Sequence, residues 1–117
     1  MEQSPIFART YDFVKWLIPL TVSFPRHQRF VLATAMQHAA LGLQERLIAA
    51  VRLPNTLEHL RLADVELDKL RFYLRLSADL GYMSLGQQRH AGQMLSDIGR
   101  LLGSWQKQPG RGEVSVS

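Results

Sequence analysis

The chain contains no cysteine. This absence excludes disulfide bonds, a thiol nucleophile, iron–sulfur clusters and every zinc site that depends on thiolate ligands. Long apolar runs are missing as well, because the apolar stretch near the N-terminus, 13–22, contains Lys15 and Pro19 and is far shorter than the roughly 20 residues of a membrane-spanning helix. The N-terminus also lacks the basic segment and cleavage site of a signal peptide. We therefore expect a cytoplasmic chain that does not enter a membrane.

Period-two alternation of apolar residues and Asn-Gly hairpin turns are also absent, which argues against β-strands. The 117 residues leave room for one domain of ordinary size. With 46% hydrophobic and 21% charged residues, the composition is close to that of a typical soluble globular protein. Basic residues exceed acidic ones by 14 to 10, so the formal net charge is +4. The chain is thus expected to be a mildly basic folded domain rather than a disordered polycation.

Apolar residues recur at helical spacing in four segments that proline, glycine, serine and asparagine separate. Pro5 and Pro25 stand where the first two helices are expected to begin, a position at which the missing amide hydrogen costs nothing. Pro19 is expected to kink the first helix or to loosen its last turn. The segment 108–117 is polar and contains proline and glycine, so we expect a disordered tail. The predicted helices cover approximately 5–22, 26–52, 56–81 and 85–106.

Two capping boxes mark the N-termini of the third and fourth predicted helices, namely Asn55 with Glu58 and Ser84 with Gln87. The connections between the helices are short, about three to five residues, which favours antiparallel packing of neighbours. The predicted fold is therefore all-α, an antiparallel up-down-up-down four-helix bundle that occupies 1–107.

The third predicted helix carries more apolar surface than a monomeric bundle needs. Its core line is expected to be Leu60, Ala63, Leu67, Leu70 and Leu74. A second apolar set consists of Leu62, Val65, Phe72, Tyr73, Leu76 and Leu80. This set either widens the contact with the core or forms a second face that self-association buries. The fourth helix contains three glycines, Gly92, Gly99 and Gly103. A glycine inside a helix costs about 1 kcal/mol relative to alanine, so its presence favours the close approach of another backbone and hence self-association. The alternative is a poorly optimised helix.

Signatures of catalysis and metal binding are not found. A di-iron bundle requires Glu-x-x-His pairs, whereas Glu58 and His59 are adjacent and Glu45 is followed three positions later by Ile48. No strand precedes a glycine-rich phosphate loop. The histidines have no partner at helical spacing and are interpreted as surface or hydrogen-bonded residues: His27, His38, His59 and His90. The sequence therefore predicts a protein without enzymatic activity, metal or cofactor.

Arginine is concentrated at one end of the predicted bundle. In an antiparallel bundle, the end of the first helix, the start of the second, the end of the third and the start of the fourth meet there. The basic residues assigned to this end are Arg26, Arg29, Arg71, Arg75 and Arg89, with His27 and His90. Against these five arginines stands only Asp79, so this end accounts for the net charge of the whole chain. Because a guanidinium group binds phosphate oxygens in a bidentate manner, the pattern predicts an interface for nucleic acid or an acidic partner.

A self-paired, solvated face is the alternative interpretation of the same arginines. Charged residues of the third helix follow one another at steps of three or four: Arg61, Asp64, Asp68, Arg71, Arg75 and Asp79. Asp68 can pair with Arg71, and Arg75 with Asp79, each pair contributing about 0.2–0.5 kcal/mol. A face of this kind would need no ligand.

Motifs in both halves of the chain resemble known four-helix-bundle proteins, over about 6 to 107. The first group resembles the proteins that intervening sequences of 23S rRNA encode: Tyr11-Asp12-Phe13, Ser23-Phe24-Pro25-Arg26-His27-Gln28-Arg29-Phe30, Ala39-Ala40 and Leu47-Ile48-Ala49-Ala50. The second group is similar to the accessory variability determinant (Avd) of diversity-generating retroelements: Leu70-Arg71-Phe72-Tyr73-Leu74-Arg75-Leu76, Leu80-Gly81-Tyr82-Met83-Ser84 and Ile98-Gly99-Arg100-Leu101-Leu102-Gly103-Ser104-Trp105.

The resemblance to Avd implies both an assembly and a function. Avd-like proteins form barrel-shaped homopentamers with a basic surface, bind the reverse transcriptase of the retroelement and nucleic acid, and support mutagenic retrohoming. We accordingly expect a non-catalytic accessory protein in a ring-shaped homo-oligomer, with a reverse transcriptase, template RNA and cDNA as partners. The residues expected to bind are Arg71 and Arg75 of the Leu-Arg-Phe-Tyr-Leu-Arg motif, joined from the end of the bundle by Arg26, Arg29 and Arg89.

Two other hypotheses remain open at this point. A stand-alone interaction module of the intervening-sequence type would have the same fold and no reverse-transcriptase partner, and the neighbouring genes would distinguish it. A metal-dependent bundle enzyme would contain iron or manganese when purified.

Overall fold

The computed structural model of the chain describes residues 5–110, except for the side chains of Gln28 and Arg29. All regular structure in this part is helical, so the all-α fold class is confirmed. The helices are α1 Pro5–Val22, α2 Thr34–Arg52, α3 Thr56–Asp79 and α4 Leu85–Lys107. Most of the segment predicted as a disordered tail, 108–117, lies outside the described residues.

Neighbouring helices are antiparallel. The ring of Phe7, near the start of α1, lies 6.3 Å from that of Trp105 near the end of α4. Trp16, further along α1, lies 5.1 Å from His90 near the start of α4. Helix α3 packs against both α2 and α4, and α1 against the same two helices. The result is the predicted up-down-up-down bundle, an elongated body with extents of 43 × 24 × 24 Å.

The core lies along the bundle axis and consists mainly of leucine, alanine and a few aromatic residues. All five residues of the predicted core line of α3 are buried: Leu60, Ala63, Leu67, Leu70 and Leu74. Their spacing of three and four keeps them on one face of the helix, and burial of that face stabilises the bundle. Among the described residues, no helix is both long and apolar enough to cross a membrane.

Only one of the two predicted capping boxes forms. The backbone amide of Gln87 donates to Ser84 Oγ at 3.0 Å, and the amide of Ser84 donates to Gln87 Oε1 at 2.9 Å. The predicted box at Asn55 is wrong, because the side chain of Asn55 makes no capping hydrogen bond. The backbone of Asn55 (φ −93°, ψ 57°) is not extended like that of Ser84 (φ −72°, ψ 162°). This turn is held instead by Thr56 Oγ1, which donates to the carbonyl of Ala50 at 3.0 Å.

The connection between α1 and α2 differs from the prediction. Helix α1 continues through Pro19 to Val22, after which the amide and hydroxyl of Ser23 both donate to the carbonyl of Leu20. The second helix was expected from 26, but a 3₁₀ turn, Arg26–Gln28, and a π-helical turn, Arg29–Ala33, come first. Regular α-helix therefore begins only at Thr34.

The second apolar set of α3 divides between the two proposed roles. Tyr73 and Leu76 pack against the core and so widen the internal contact. Val65, Phe72 and Leu80 remain at least half exposed, and the side chain of Phe72 is 62% exposed. The exposed part leaves self-association, and the ring-shaped assembly, as a prediction.

Candidate nucleic-acid interface

The connections α1–α2 and α3–α4 meet at one end of the bundle, where the ring of Phe24 lies 5.7 Å from that of Tyr82. This arrangement brings the start of α2 and α4 and the last turns of α3 together, as the antiparallel topology requires. We call this region the basic end. Its described basic side chains are Arg26, His27, Arg71, Arg75, Arg89 and His90.

The two arginines of α3 form ion pairs of unequal quality. Arg71 Nη1 lies 2.9 Å from Asp68 Oδ1, whereas Arg75 Nε lies 4.0 Å from Asp79 Oδ2. The side chain of Arg75 is 82% exposed, against 48% for Arg71. Because exposed pairs of this kind contribute about 0–1 kcal/mol, a phosphate group can compete with them. Self-pairing therefore occupies Arg71 more than Arg75.

A glycine of α4 makes room for Arg71. A Cβ atom at Gly99 would lie 2.9 Å from Arg71 Nη2 and 3.4 Å from Leu67 Cδ2. The sequence had predicted that the glycines of α4 admit another backbone, and at Gly99 this is wrong, because side chains of the same chain fill the space. At Gly92 and Gly103 nothing described lies within 4 Å of the added atom.

Arg71 and Arg75 line one groove between α3 and α4, with a volume of about 310 Å³. The facing wall carries Gln88 and Ser96, and the absence of a side chain at Gly92 leaves the groove open. No acidic residue is among the described side chains that line it. Two guanidinium groups opposite neutral polar side chains provide a suitable surface for an anion.

The remaining predicted arginines do not share this groove. Arg26 lines a separate hollow between the α1–α2 connection and α2, and Arg89 lies exposed in the second turn of α4. Neither Arg26 nor Arg89 makes an ion pair with another described residue. The side chain of Arg29 lies outside the described residues. The role of all five arginines in binding stays a prediction.

A comparison with protein families agrees with the resemblance noted in the sequence. A family model described as bAvd-like matches residues 5–109, which include all four helices and, at the basic end, both the groove and the hollow. The chain belongs to the bAvd-like family. No match was found among curated proteins. The relation of this bAvd-like chain to the intervening-sequence proteins stays a prediction.

Sequence reasoning assigned no role to Phe30, which the structure of this bAvd-like protein places at the basic end. Phe30 lines the same hollow as Arg26, together with Val22 and Gln37. Its side chain is 86% exposed. The sequence did contain a signal for this site, because basic residues and then Phe30 follow Pro25. An aromatic residue near the expected start of a helix can equally belong to the core, so the pattern did not assign Phe30 to the surface.

The histidines of the bAvd-like bundle differ in their environments. His27, His38 and His90 are exposed, in agreement with the sequence interpretation. His59 is the exception, because it is 8% exposed, its Nε2 has no hydrogen-bond partner among the described residues, and its Nδ1 lies 3.5 Å from Arg46 Nη1. Within 5–110, no three histidine, aspartate or glutamate side chains are placed to hold a metal ion together.

Arginine has a different role in the far half of the bundle, by which we mean the part from Asp97, in the middle of α4, to the end opposite the basic end; Arg71, which reaches Gly99, lies at the boundary between the two parts. Asp97 of α4 accepts hydrogen bonds from Arg9 of α1 at 3.2 Å, from Arg100 at 3.0 Å and from Gln93 at 3.2 Å. The hydrogen bond from Arg100 is the main cause that lowers the pKa of the Asp97 carboxyl, and Gln93 and Arg9 lower it further. Arg9 connects α1 to α4 through Asp97, and Arg100 pairs with the same carboxylate within α4.

Proposed function

We propose that this bAvd-like chain is a non-catalytic accessory protein of a diversity-generating retroelement. It binds the reverse transcriptase of the element and nucleic acid through the basic end, and so supports mutagenic reverse transcription and retrohoming in the cytoplasm. The observation that carries the proposal is the set of exposed arginines at one end, two of which line a groove that has no acidic residue among its described lining residues. Family membership supports the accessory role.

Exposure and pairing rank the four arginines whose side chains the structure describes. Arg26 and Arg89 are exposed and unpaired among the described residues, and Arg75 is held only at 4.0 Å from a carboxylate. Arg71 already binds Asp68 and lies against Gly99, so its contribution is expected to be smaller. A phosphate backbone passing over the basic end would therefore be bound mainly by Arg26, Arg75 and Arg89.

A few arginines in one subunit give weak, salt-sensitive binding, because each phosphate contact releases about one counterion. Several copies with parallel basic ends would multiply this effect, since the second and later contacts are intramolecular. The proposal therefore includes a homo-oligomer, which the resemblance to Avd implies is a pentamer. The exposed apolar side chains of α3 support self-association, because a second copy would remove them from water: Val65, Phe72 and Leu80.

The test compares two charge-matched double variants. Arg75→Ala with Arg89→Ala removes two charges from the basic end, and Arg52→Ala with Arg61→Ala removes two exposed charges from the far half. Binding to a single-stranded RNA is measured by fluorescence anisotropy over a range of salt concentrations. The first variant is expected to lower the salt slope by about 1.4 for each subunit bound, and the second to leave it unchanged.

Capture of the reverse transcriptase is measured with the same variants. We expect wild-type protein to co-purify with the reverse transcriptase of its proposed retroelement. RNA binding that is absent or insensitive to salt, together with no captured reverse transcriptase, would contradict the proposal. RNA binding without reverse transcriptase would favour the stand-alone module.

A further inference from the structure

The most exposed large apolar side chain in the described part of the chain is that of Phe30, at the basic end. Val31 beside it is 70% exposed, whereas Leu32 and Ala33 are buried in the core. These residues belong to the π-helical turn that precedes α2, and such turns are frequent at functional sites. The buried pair anchors the turn, so the aromatic ring is presented to solvent from a fixed backbone.

The hollow beside Phe30 combines three kinds of group. It has a volume of about 440 Å³. Phe30 and Val22 supply apolar surface, Arg26 supplies a cation, and a hydrogen-bonded pair forms part of the wall, in which Gln37 Nε2 donates to Thr21 Oγ1 at 2.8 Å. An aromatic face, a guanidinium group and polar side chains are together the groups that bind a base and its phosphate.

We propose that Phe30 stacks on an unpaired nucleobase and that Arg26 binds the adjacent phosphate, so that the basic end prefers single-stranded nucleic acid to duplex. The inference rests on the proposed function, because it requires nucleic acid as the ligand. Base faces inside a duplex are covered by their neighbours, whereas an unpaired base offers its face to an aromatic ring. Stacking also tolerates any base, so little sequence preference is expected.

The charges at this site favour nucleic acid over a second copy of the chain. Arg26 has no ion pair with a described residue. A symmetric contact between two basic ends would place arginines against arginines, which is electrostatically unfavourable. An apolar protein surface over Phe30 would bury the charge of Arg26 without compensation. A nucleotide supplies both an apolar face and a negative charge.

The test uses three substitutions of Phe30 and one control. Phe30→Ala removes the ring, Phe30→Leu keeps apolar volume without an aromatic face, and Phe30→Trp keeps the face. Tyr11→Ala removes a comparably exposed aromatic side chain from α1, 64% exposed, away from the basic end. The ligands are an oligouridine, an oligothymidine of equal length and a blunt RNA duplex, with binding followed by fluorescence anisotropy.

We expect Phe30→Ala and Phe30→Leu to weaken binding of both single strands roughly 5- to 150-fold, with an unchanged salt slope and unchanged duplex binding. Phe30→Trp should keep the affinity, and the strand should quench its added fluorescence relative to wild type, which contains Trp16 and Trp105. Tyr11→Ala should behave as wild type. A larger effect on oligouridine than on oligothymidine would identify RNA as the preferred strand.

Several results would overturn the inference. They are unchanged single-strand affinity in Phe30→Ala, retained affinity in Phe30→Leu, or an equal loss for the duplex. A change in native mass would instead identify a contact between copies, and a loss of reverse transcriptase with RNA binding intact would identify a protein site. If binding depends on Arg75 and Arg89 but not on Phe30, the inference fails and the proposed function stands. If wild type binds no nucleic acid, the nucleic-acid part of the proposed function fails with it.

Discussion

The arginines of the basic end and the arginines around Asp97 in the far half are in two different electrostatic states, whereas Arg52 and Arg61, also in the far half, are exposed and form no ion pair with a described residue. In the far half, Asp97 accepts hydrogen bonds from Arg9 and Arg100 at 3.2 and 3.0 Å and joins α1 to α4. At the basic end, Arg26 and Arg89 have no ion pair with a described residue, and Arg75 lies 4.0 Å from its carboxylate. The arginines around Asp97 are therefore less available to a phosphate than Arg26, Arg75 and Arg89.

The largest effect is expected from breaking self-association, which would separate the basic ends of different copies. Phe72→Ser replaces an exposed ring of α3 by a small polar side chain. We expect a lower oligomeric mass in native mass spectrometry and a loss of RNA affinity of about 10- to 100-fold, because avidity depends on linked copies. Tyr11→Ser, a comparable change on α1, should alter neither quantity. A full oligomer with wild-type affinity in Phe72→Ser would contradict this prediction.

A smaller effect on RNA affinity is expected from Gly99→Ala, which disturbs Arg71, the arginine of α3 with the shorter ion pair. The new Cβ would displace the end of the Arg71 side chain, from which it would otherwise lie 2.9 Å. The end of the Arg71 side chain is flexible, and alanine is a better helix former than glycine. The free energy of unfolding should therefore stay equal or rise by up to about 1 kcal/mol. RNA affinity should change less than in Arg75→Ala. Chemical denaturation and anisotropy measure the two quantities, and a marked loss of stability would show that Arg71 cannot move.

The smallest effect is expected from Asp97→Asn, which weakens the far half and leaves the basic end intact. The folded pKa of Asp97 is lowered, so its contribution to stability is present above the ordinary aspartate pKa and is lost as pH falls through the folded pKa. The melting temperature of Asp97→Asn should therefore lie slightly below wild type at about pH 7 and approach it as the pH falls below the folded pKa of Asp97.

Glu45→Gln is the control for this comparison, since Glu45 lies exposed on α2 and forms no ion pair with a described residue. Its melting curve should follow wild type at each pH. RNA affinity of Asp97→Asn should also be unchanged. A loss of RNA affinity in Asp97→Asn would mean that the two parts of the bundle do not act separately.

The fold could be predicted from the sequence because its determinants are periodic or local. The core line of α3 follows from the spacing of Leu60, Ala63 and Leu67, which is independent of the rest of the chain. The box of Ser84 and Gln87 also depends only on neighbouring backbone. The box expected at Asn55 failed because the turn after α2 gives Asn55 a different backbone conformation, which residue type does not determine.

The site could be predicted only in part, because its remaining features depend on packing between elements. The spacing of Arg71 and Arg75 places both on one side of α3, and they do line one groove. The contact of Arg71 with Gly99 depends on how α3 and α4 are rotated, and periodicity does not specify this rotation. The exposure of Phe30 depends on the π-helical turn, which forms where Leu32 enters the core.

Hydrogen–deuterium exchange of the wild-type protein, with and without a single-stranded oligouridine, compares the two parts of the bundle in one measurement. We predict that the oligonucleotide slows exchange in 26–34, 71–79 and 85–92, which form the basic end. Peptides that contain Arg9 and Arg100 should exchange at the same rate in both states. Protection centred on the far half, or no protection at a concentration that saturates binding, would contradict the assignment of nucleic-acid binding to the basic end.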